Sequence, residues 1–240
     1  MEITRDKFML MAVIAIMALT IVGTVFAQPV GTGTLNPTSS TRGTDASAGQ
    51  LDAQGGNVTN VDIDAWSITS KWAGFYGDIT GAISLEDGSG NTFYNWSDAS
   101  PTGEVFATRN PSTPTWGSIA CADGTTITAE TSALDLGSGA DNITNTFCET
   151  CGNHSAFSVG TTDFSADQCT YRTNAFNNAG AQTTDWDQVL LTDTNYALYT
   201  TIIDQDTLGF DNINHDFQLL VGENSSSTTL TSYYFFVEIV

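Results

Sequence analysis

Cys148-Glu-Thr-Cys151, with His154 close behind, is the first place in this 240-residue sequence where residue types and spacing could do chemistry. Two thiols at this spacing can hold zinc, exchange electrons or close a local disulfide. Zinc would need Cys121 and Cys169 as further ligands, whereas knuckle sites carry two close pairs. A redox pair belongs at the start of a helix in an alternating strand–helix chain, a pattern this sequence lacks. Haem attachment requires His directly after the second cysteine, where Gly152 stands. Structural disulfides are the favoured reading, with zinc and redox chemistry as its rivals. Of the three pairings that four cysteines permit, Cys148 with Cys151 closes a turn at little entropic cost. That leaves Cys121 with Cys169 to clip a long loop.

A second cluster suits a hard cation. Asp204-Gln-Asp206, Asp211-Asn-Ile-Asn214 and Asp216 gather oxygen ligands around Gly209, so calcium is the candidate cofactor. Asp87-Gly-Ser-Gly-Asn91 repeats the spacing more weakly. The competing reading is plain turn chemistry, because Asp and Asn favour turns. Catalysis is poorly supplied. His154 and His215 are the only imidazoles, neither lies in a nucleophile motif, and scattered acids form pairs without meaning. The expectation is a protein that is not an enzyme and needs no cofactor beyond calcium.

The elements that must position these residues begin after a processing segment. Arg5 and Lys7 precede an apolar run, Phe8 to Phe26, and Val25-Phe-Ala27 sets small residues where a signal peptidase reads. Residues 1–27 thus read as a signal peptide cleaved before Gln28. A retained membrane helix is the rival, since the run is just long enough to span. Residues 28–56 are Gly-, Ser- and Thr-rich and read as a flexible arm.

From Asn57 to Val240 a single domain is expected. Val61, Ile63 and Ala65 alternate with Asp62 and Asp64, predicting a strand with one wet face. Ile79 to Leu85, the turn Glu86–Asn91, and Thr92 to Trp96 predict a hairpin. Further strands are predicted at Glu104–Thr108, Ala156–Val159, Cys169–Arg172, Asp187–Leu191, Ala197–Ile203, His215–Val221 and Ser232–Val240, with one short helix within Thr125–Leu136. Many short strands with Gly/Asn/Asp/Ser turns predict an all-β, antiparallel sandwich of jelly-roll or immunoglobulin-like type. Trp72, Phe75 and Tyr76, set among glycines ahead of the first hairpin, could stack on sugars but read better as core.

Charge narrows the partners. The leader's Glu2 and Asp6 balance Arg5 and Lys7, so the remaining residues keep the whole net charge of −21. Nucleic acid is excluded as a partner by repulsion, and no membrane insertion is expected after processing. An apolar content of 40% argues against disorder. Disulfides and leader together point to a secreted, extracellular or cell-surface location. Asn57, Asn95, Asn142, Asn153 and Asn224 stand in Asn-x-Ser/Thr sequons, as glycosylation of such a surface would need.

Lys71-Trp-Ala-Gly-Phe-Tyr-Gly-Asp-Ile-Thr-Gly81 and Gly90-Asn-Thr-Phe-Tyr-Asn-Trp96 resemble a group of secreted archaeal cell-surface proteins. The likeness continues through Tyr199–Phe210 and His215–Val221 and ends at Tyr233-Tyr-Phe-Phe-Val-Glu238. It implies a β-rich surface protein and carries no activity.

Two functions fit. One is a structural subunit of a surface filament or layer, assembling with identical copies. The other is a monomeric secreted module that binds glycans or another cell. Tyr233, Phe235 and Val237 fall on one side of the last strand, while Tyr234, Phe236 and Val240 fall on the other, with Glu238 the exception. A strand apolar on both sides is central or covered by a neighbour. The arm's Val30, Thr32 and Thr34 alternate and could add a strand to the next copy.

Overall fold

The computed structural model describes residues 28–98, 100–224 and 230–240. The predicted leader lies outside them. In chain order, β1 (Val30–Gly31) is followed by an irregular stretch to Lys71. Then come β2 (Trp72–Gly77), the hairpin of β3 (Gly81–Glu86) and β4 (Thr92–Asp98), and β5 (Gly103–Thr108). A 3₁₀ turn at Trp116–Ser118 leads to β6 (Ala120–Cys121) and the helices α1 (Gly124–Leu134) and α2 (Ile143–Thr146). A small hairpin, β7 (Phe157–Val159) with β8 (Thr162–Phe164), precedes β9 (Arg172–Phe176), β10 (Gln182–Thr192) and β11 (Ala197–Ile202). The chain closes with β12 (Thr207–Leu208), β13 (Asn214–His215), β14 (Phe217–Gly222) and β15 (Tyr234–Ile239).

The expected antiparallel β-sandwich is what forms. One seven-stranded sheet runs β1-β15-β5-β11-β10-β6, with β9 also on β10, and β2 pairs with β14 in a separate ribbon. Alternation along the central strands explains why both faces of this sheet are dry. Val105, Ala107, Leu190 and Tyr199 point to a core shared with β14, α1 and α2, where Leu219, Val221, Ile127, Leu134 and Phe147 meet them. Phe106, Val189, Leu191 and Leu198 point the other way, to Trp116, Phe157, Val159 and Phe164. A strand covered on both faces must read as a continuous apolar run. Each such buried Leu, Val or Phe contributes about 1.5–3 kcal/mol.

Helix α1 starts where Asp123 accepts a hydrogen bond from the Thr126 amide at 2.8 Å. It ends at Asp135, whose φ of 51° is left-handed. Its buried Glu130 receives Arg109 Nε at 3.1 Å, Arg109 Nη2 at 2.6 Å and the Tyr199 hydroxyl at 3.0 Å. This network pins the helix to β5 and β11.

Three expectations shift. No strand forms at Val61–Ala65, and regular structure resumes only at Trp72, because no second strand among the described residues pairs with that segment. Trp72–Gly77 is itself a strand, matched with Phe217–Gly222 in register. The strand expected at Cys169–Arg172 begins at Arg172, because Cys169 is held in a loop by its disulfide.

Candidate functional site

The sequence features that could support self-assembly meet at β15. One side of this strand pairs with β5 from Tyr234↔Thr108 to Ile239↔Gly103. Among the described residues the other side meets only β1, through Val30↔Val237 and Gly31↔Phe236. The Thr32 amide then donates to the Phe235 carbonyl at 3.3 Å, and the Thr32 hydroxyl to the same oxygen at 3.4 Å. Thr34 lies beyond the paired stretch and is exposed. Val30 is 60% exposed, so backbone hydrogen bonds rather than apolar burial hold the arm. Tyr233, Phe235 and Val237 pack partly buried on the core shared with β14. Phe235 meets the Phe75 ring edge-on at 5.0 Å, and the Tyr233 hydroxyl donates to the Gly222 carbonyl at 2.6 Å. Phe235 and Val237 belong to the accepting strand and Tyr233 lies just ahead of it, whereas Val30 and Thr32 dock on its edge.

The other face of β15 holds a feature that sequence reading passed over. Glu238 lies directly opposite Glu104 of β5, and the two are 3% and 4% exposed. The Gly160 amide, in the β7–β8 turn, reaches both Glu238 oxygens at 3.0 Å. Glu104 Oε2 has no hydrogen-bond partner among the described residues. Among the described residues no cation offsets the pair. Arg42 donates to the Ile68 carbonyl, Lys71 to the Ser138 carbonyl, Arg109 to Glu130, and Arg172 to the carbonyls of Gly152 and Cys169. Burial, reinforced by the Glu238 charge, pushes Glu104 up to about 8, and burial also raises Glu238. The visible sign in the sequence was Glu238, the one charged residue of an otherwise apolar strand.

The cysteines form two disulfides, Cys121–Cys169 and Cys148–Cys151. This is the pairing favoured by loop closure, and no cysteine is left as a free thiol. His154 is buried and structural in its contacts. Its Nε2 accepts the Cys169 amide at 3.0 Å, and its Nδ1 lies 2.8 Å from the Ser155 carbonyl, so the proton sits on Nδ1.

The calcium candidates come near one another without converging. Asp216 is buried and accepts the Ile79 amide at 2.7 Å and the Asp206 amide at 3.1 Å, one on each oxygen. Asp211 accepts from the Ile213 amide and lies 3.0 Å from His215 Nε2. Asp204 is half-buried, and Asn214 is exposed in β13. Among the described residues, no three His, Cys, Asp or Glu side chains form a group that could hold a metal ion.

Of the sequon residues, Asn57, Asn95 and Asn153 are exposed. Asn142 caps α2, accepting the Asn145 amide at 2.7 Å, and Asn224 is half-buried.

Trp72 settles into the core, its indole donating to the Asp141 carbonyl at 2.7 Å. Phe75 and Tyr76 stay half-exposed. The β3–β4 hairpin is more open still. Ile83↔Trp96 and Leu85↔Tyr94 are cross-strand pairs on one face, and all four side chains are at least half-exposed. A cleft of about 490 Å³, lined by Asn145, Thr150, Phe176, Gln182 and Gln188, opens beside the Cys148–Cys151 turn.

Among the described residues no helix is long and apolar enough to cross a membrane. The two disulfides fit an oxidising compartment outside the cytoplasm. No family model, curated protein or solved structure matches the chain.

Proposed function

We propose that this chain is a secreted structural subunit of an extracellular filament or surface layer, joined to identical copies by exchange of its N-terminal strand. One observation carries this reading: a two-residue strand on the outer edge of β15, tethered by a long irregular segment. A neighbour's arm would make the same backbone hydrogen bonds to that edge. Exchange therefore alters linker geometry more than contacts. Head-to-tail exchange does not close on itself and yields a fibre. The acidic surface and the resemblance to secreted archaeal cell-surface proteins agree with an exposed location. No catalytic step or cofactor belongs to this role.

The test has two arms. Negative-stain microscopy of the native cell surface should find fibres or lattices containing this chain, and dispersed monomers would overturn the reading. Deleting residues 28–56 should leave a folded monomer that cannot polymerise. Normal fibres from the deletion would show that the arm is not the joint.

A further inference from the structure

The buried carboxyl pair and the seat of the arm fall within three consecutive residues of β15. Phe236 and Val237 offer their outer edge to Gly31 and Val30, and Glu238 follows directly. On the inner edge Glu238 faces Glu104, and one further pair, Ile239↔Gly103, completes the ladder. Past it the Val240 amide donates to the Thr102 carbonyl, and the Thr102 hydroxyl to the Val240 carbonyl, each at 2.9 Å. Glu104 sits differently. Its strand is paired on both sides, with Glu238 on one and Ile202 of β11 on the other.

We infer that the Glu104–Glu238 pair is a proton-dependent latch: it holds the C-terminal end of β15, and with it the seat of the arm, while at least one of the two carboxyls is neutral. Two carboxylates side by side and removed from water do not both ionise in place, because burial and like charge each oppose the second charge. The surroundings give no relief. Ile202 is the residue opposite Glu104 on β11. The β7–β8 hairpin brings the Ser158 amide to Glu104 and the Gly160 amide to Glu238. Its one acid, Asp163, is exposed and accepts the Ser158 hydroxyl at 2.7 Å. Neither β1 nor the turn at Trp116–Ser118 carries a titratable side chain. Among the described residues, the charge that acts on Glu104 is that of Glu238.

The second proton can leave once one carboxyl reaches water, and Glu238 is the one free to move. Opening the last ladder pair and the Val240 contacts exposes it, whereas exposing Glu104 would part β5 from both of its neighbours. Fraying that starts at Glu238 reaches Val237 next and removes the partner of Val30. Little else retains the arm, since Val30 is mostly exposed. With one proton bound, the Gly160 amide supports the remaining charge on Glu238, Glu104 stays neutral, and the end of the strand is closed. The latch rests on one part of the proposed joint, the contact of β1 with β15, and adds its regulation by pH.

The experiment is NMR on the full-length, unassembled protein from pH 6 to 9.5, read through protons that do not exchange with solvent. The cross-strand contact between the α-protons of Gly31 and Phe236 should be strong at pH 6 and fall several-fold, with a midpoint near the value of about 8 for Glu104. Methyl contacts between Leu191 and Leu198, which lie opposite each other in the central sheet, should persist throughout. Glu104→Gln leaves a single ionisable carboxyl beside the Gly160 amide and should keep the arm contact at pH 9.5. Three results overturn the latch: an arm contact that survives at pH 9.5 in the wild type, equal loss in Glu104→Gln, or loss of the Leu191–Leu198 contacts at the same pH. If Glu104→Gln does not fold, the carboxyl carbons of Glu104 and Glu238 in the wild type decide. Arm loss at a pH where neither carbon shifts overturns the latch as well. An arm contact absent already at pH 6 overturns the seat itself. Failure of the latch alone leaves fibres, and their dependence on residues 28–56, as proposed.

Discussion

Glu104 and Glu238 set the sharpest expectation at the scale of single residues. Both folded-state values are raised, so the fold binds their protons more tightly than the unfolded chain does. That contribution is fully present below the ordinary value of about 4.5 and is lost as pH rises through about 8. Thermal melts from pH 4 to 9 should therefore show stability falling with pH by on the order of a few kcal/mol. Glu104→Gln, which removes one charge and keeps the shape, should flatten the profile. A profile unchanged by the substitution would mean that the pair is not the titrating unit. The Arg109–Glu130 pair tests burial from the other side. Glu130→Ala leaves the guanidinium without its partner and should destabilise by about 3–5 kcal/mol, measured by urea denaturation. A loss below 1 kcal/mol would show that water takes over the role of the carboxylate.

At the scale of elements, the junction of β5 and β15 depends on one glycine. Gly103 has φ +128°, and a Cβ there would lie 2.1 Å from the Glu238 carbonyl oxygen, a backbone atom that cannot swing aside. Gly103→Ala should open the last pair of the β5–β15 ladder and weaken the seat of the arm. Amide exchange at Val237 to Ile239 should accelerate well before the central strands respond. Unchanged protection at those amides would sink this account of the junction. The two hairpins show how differently similar sequence signals resolve. β7–β8 is covered through Phe157, Val159 and Phe164, and closes over the buried carboxyls. β3–β4 has equally clear alternation and stands uncovered.

For the whole molecule, charge and cross-links govern separate properties. Copies that each carry −21 repel at distance. The proposed assembly should consequently quicken as salt rises from about 0.01 to 0.15 M, over which the screening length shortens from roughly 30 to 8 Å. Light scattering reads this directly, and slower assembly in salt would mean that ion pairs form the joints. The two disulfides should differ in weight. Cys121–Cys169 joins residues 48 apart in sequence, and replacing both cysteines by serine should cost about 4 kcal/mol. Cys148–Cys151 closes only a turn and should cost about 2 kcal/mol. Equal losses in calorimetry would show that native packing, not chain entropy, sets their contribution.

By itself the sequence determined what depends on near neighbours along the chain. Alternation at Ile83 and Leu85 and the turn at Asp87–Asn91 fixed a hairpin, a short helix was legible within Thr125–Leu136, and the spacing of Cys148 and Cys151 favoured a local bridge. Continuous apolar runs such as Val189–Leu191 and Phe235–Val237 signalled strands buried on both faces. Tertiary structure decided what depends on partners far away in sequence. Period alone cannot say whether a strand finds an edge, so Val61–Ala65 read like Leu198–Ile202 yet only the latter is paired. It also cannot say which acids are buried. Glu104 and Glu238 look like ordinary charges until adjacent strands bring them face to face beneath the Gly160 turn. Val30 reaching Val237 is the same kind of fact, because edge pairing follows from which backbone groups other strands leave unpaired.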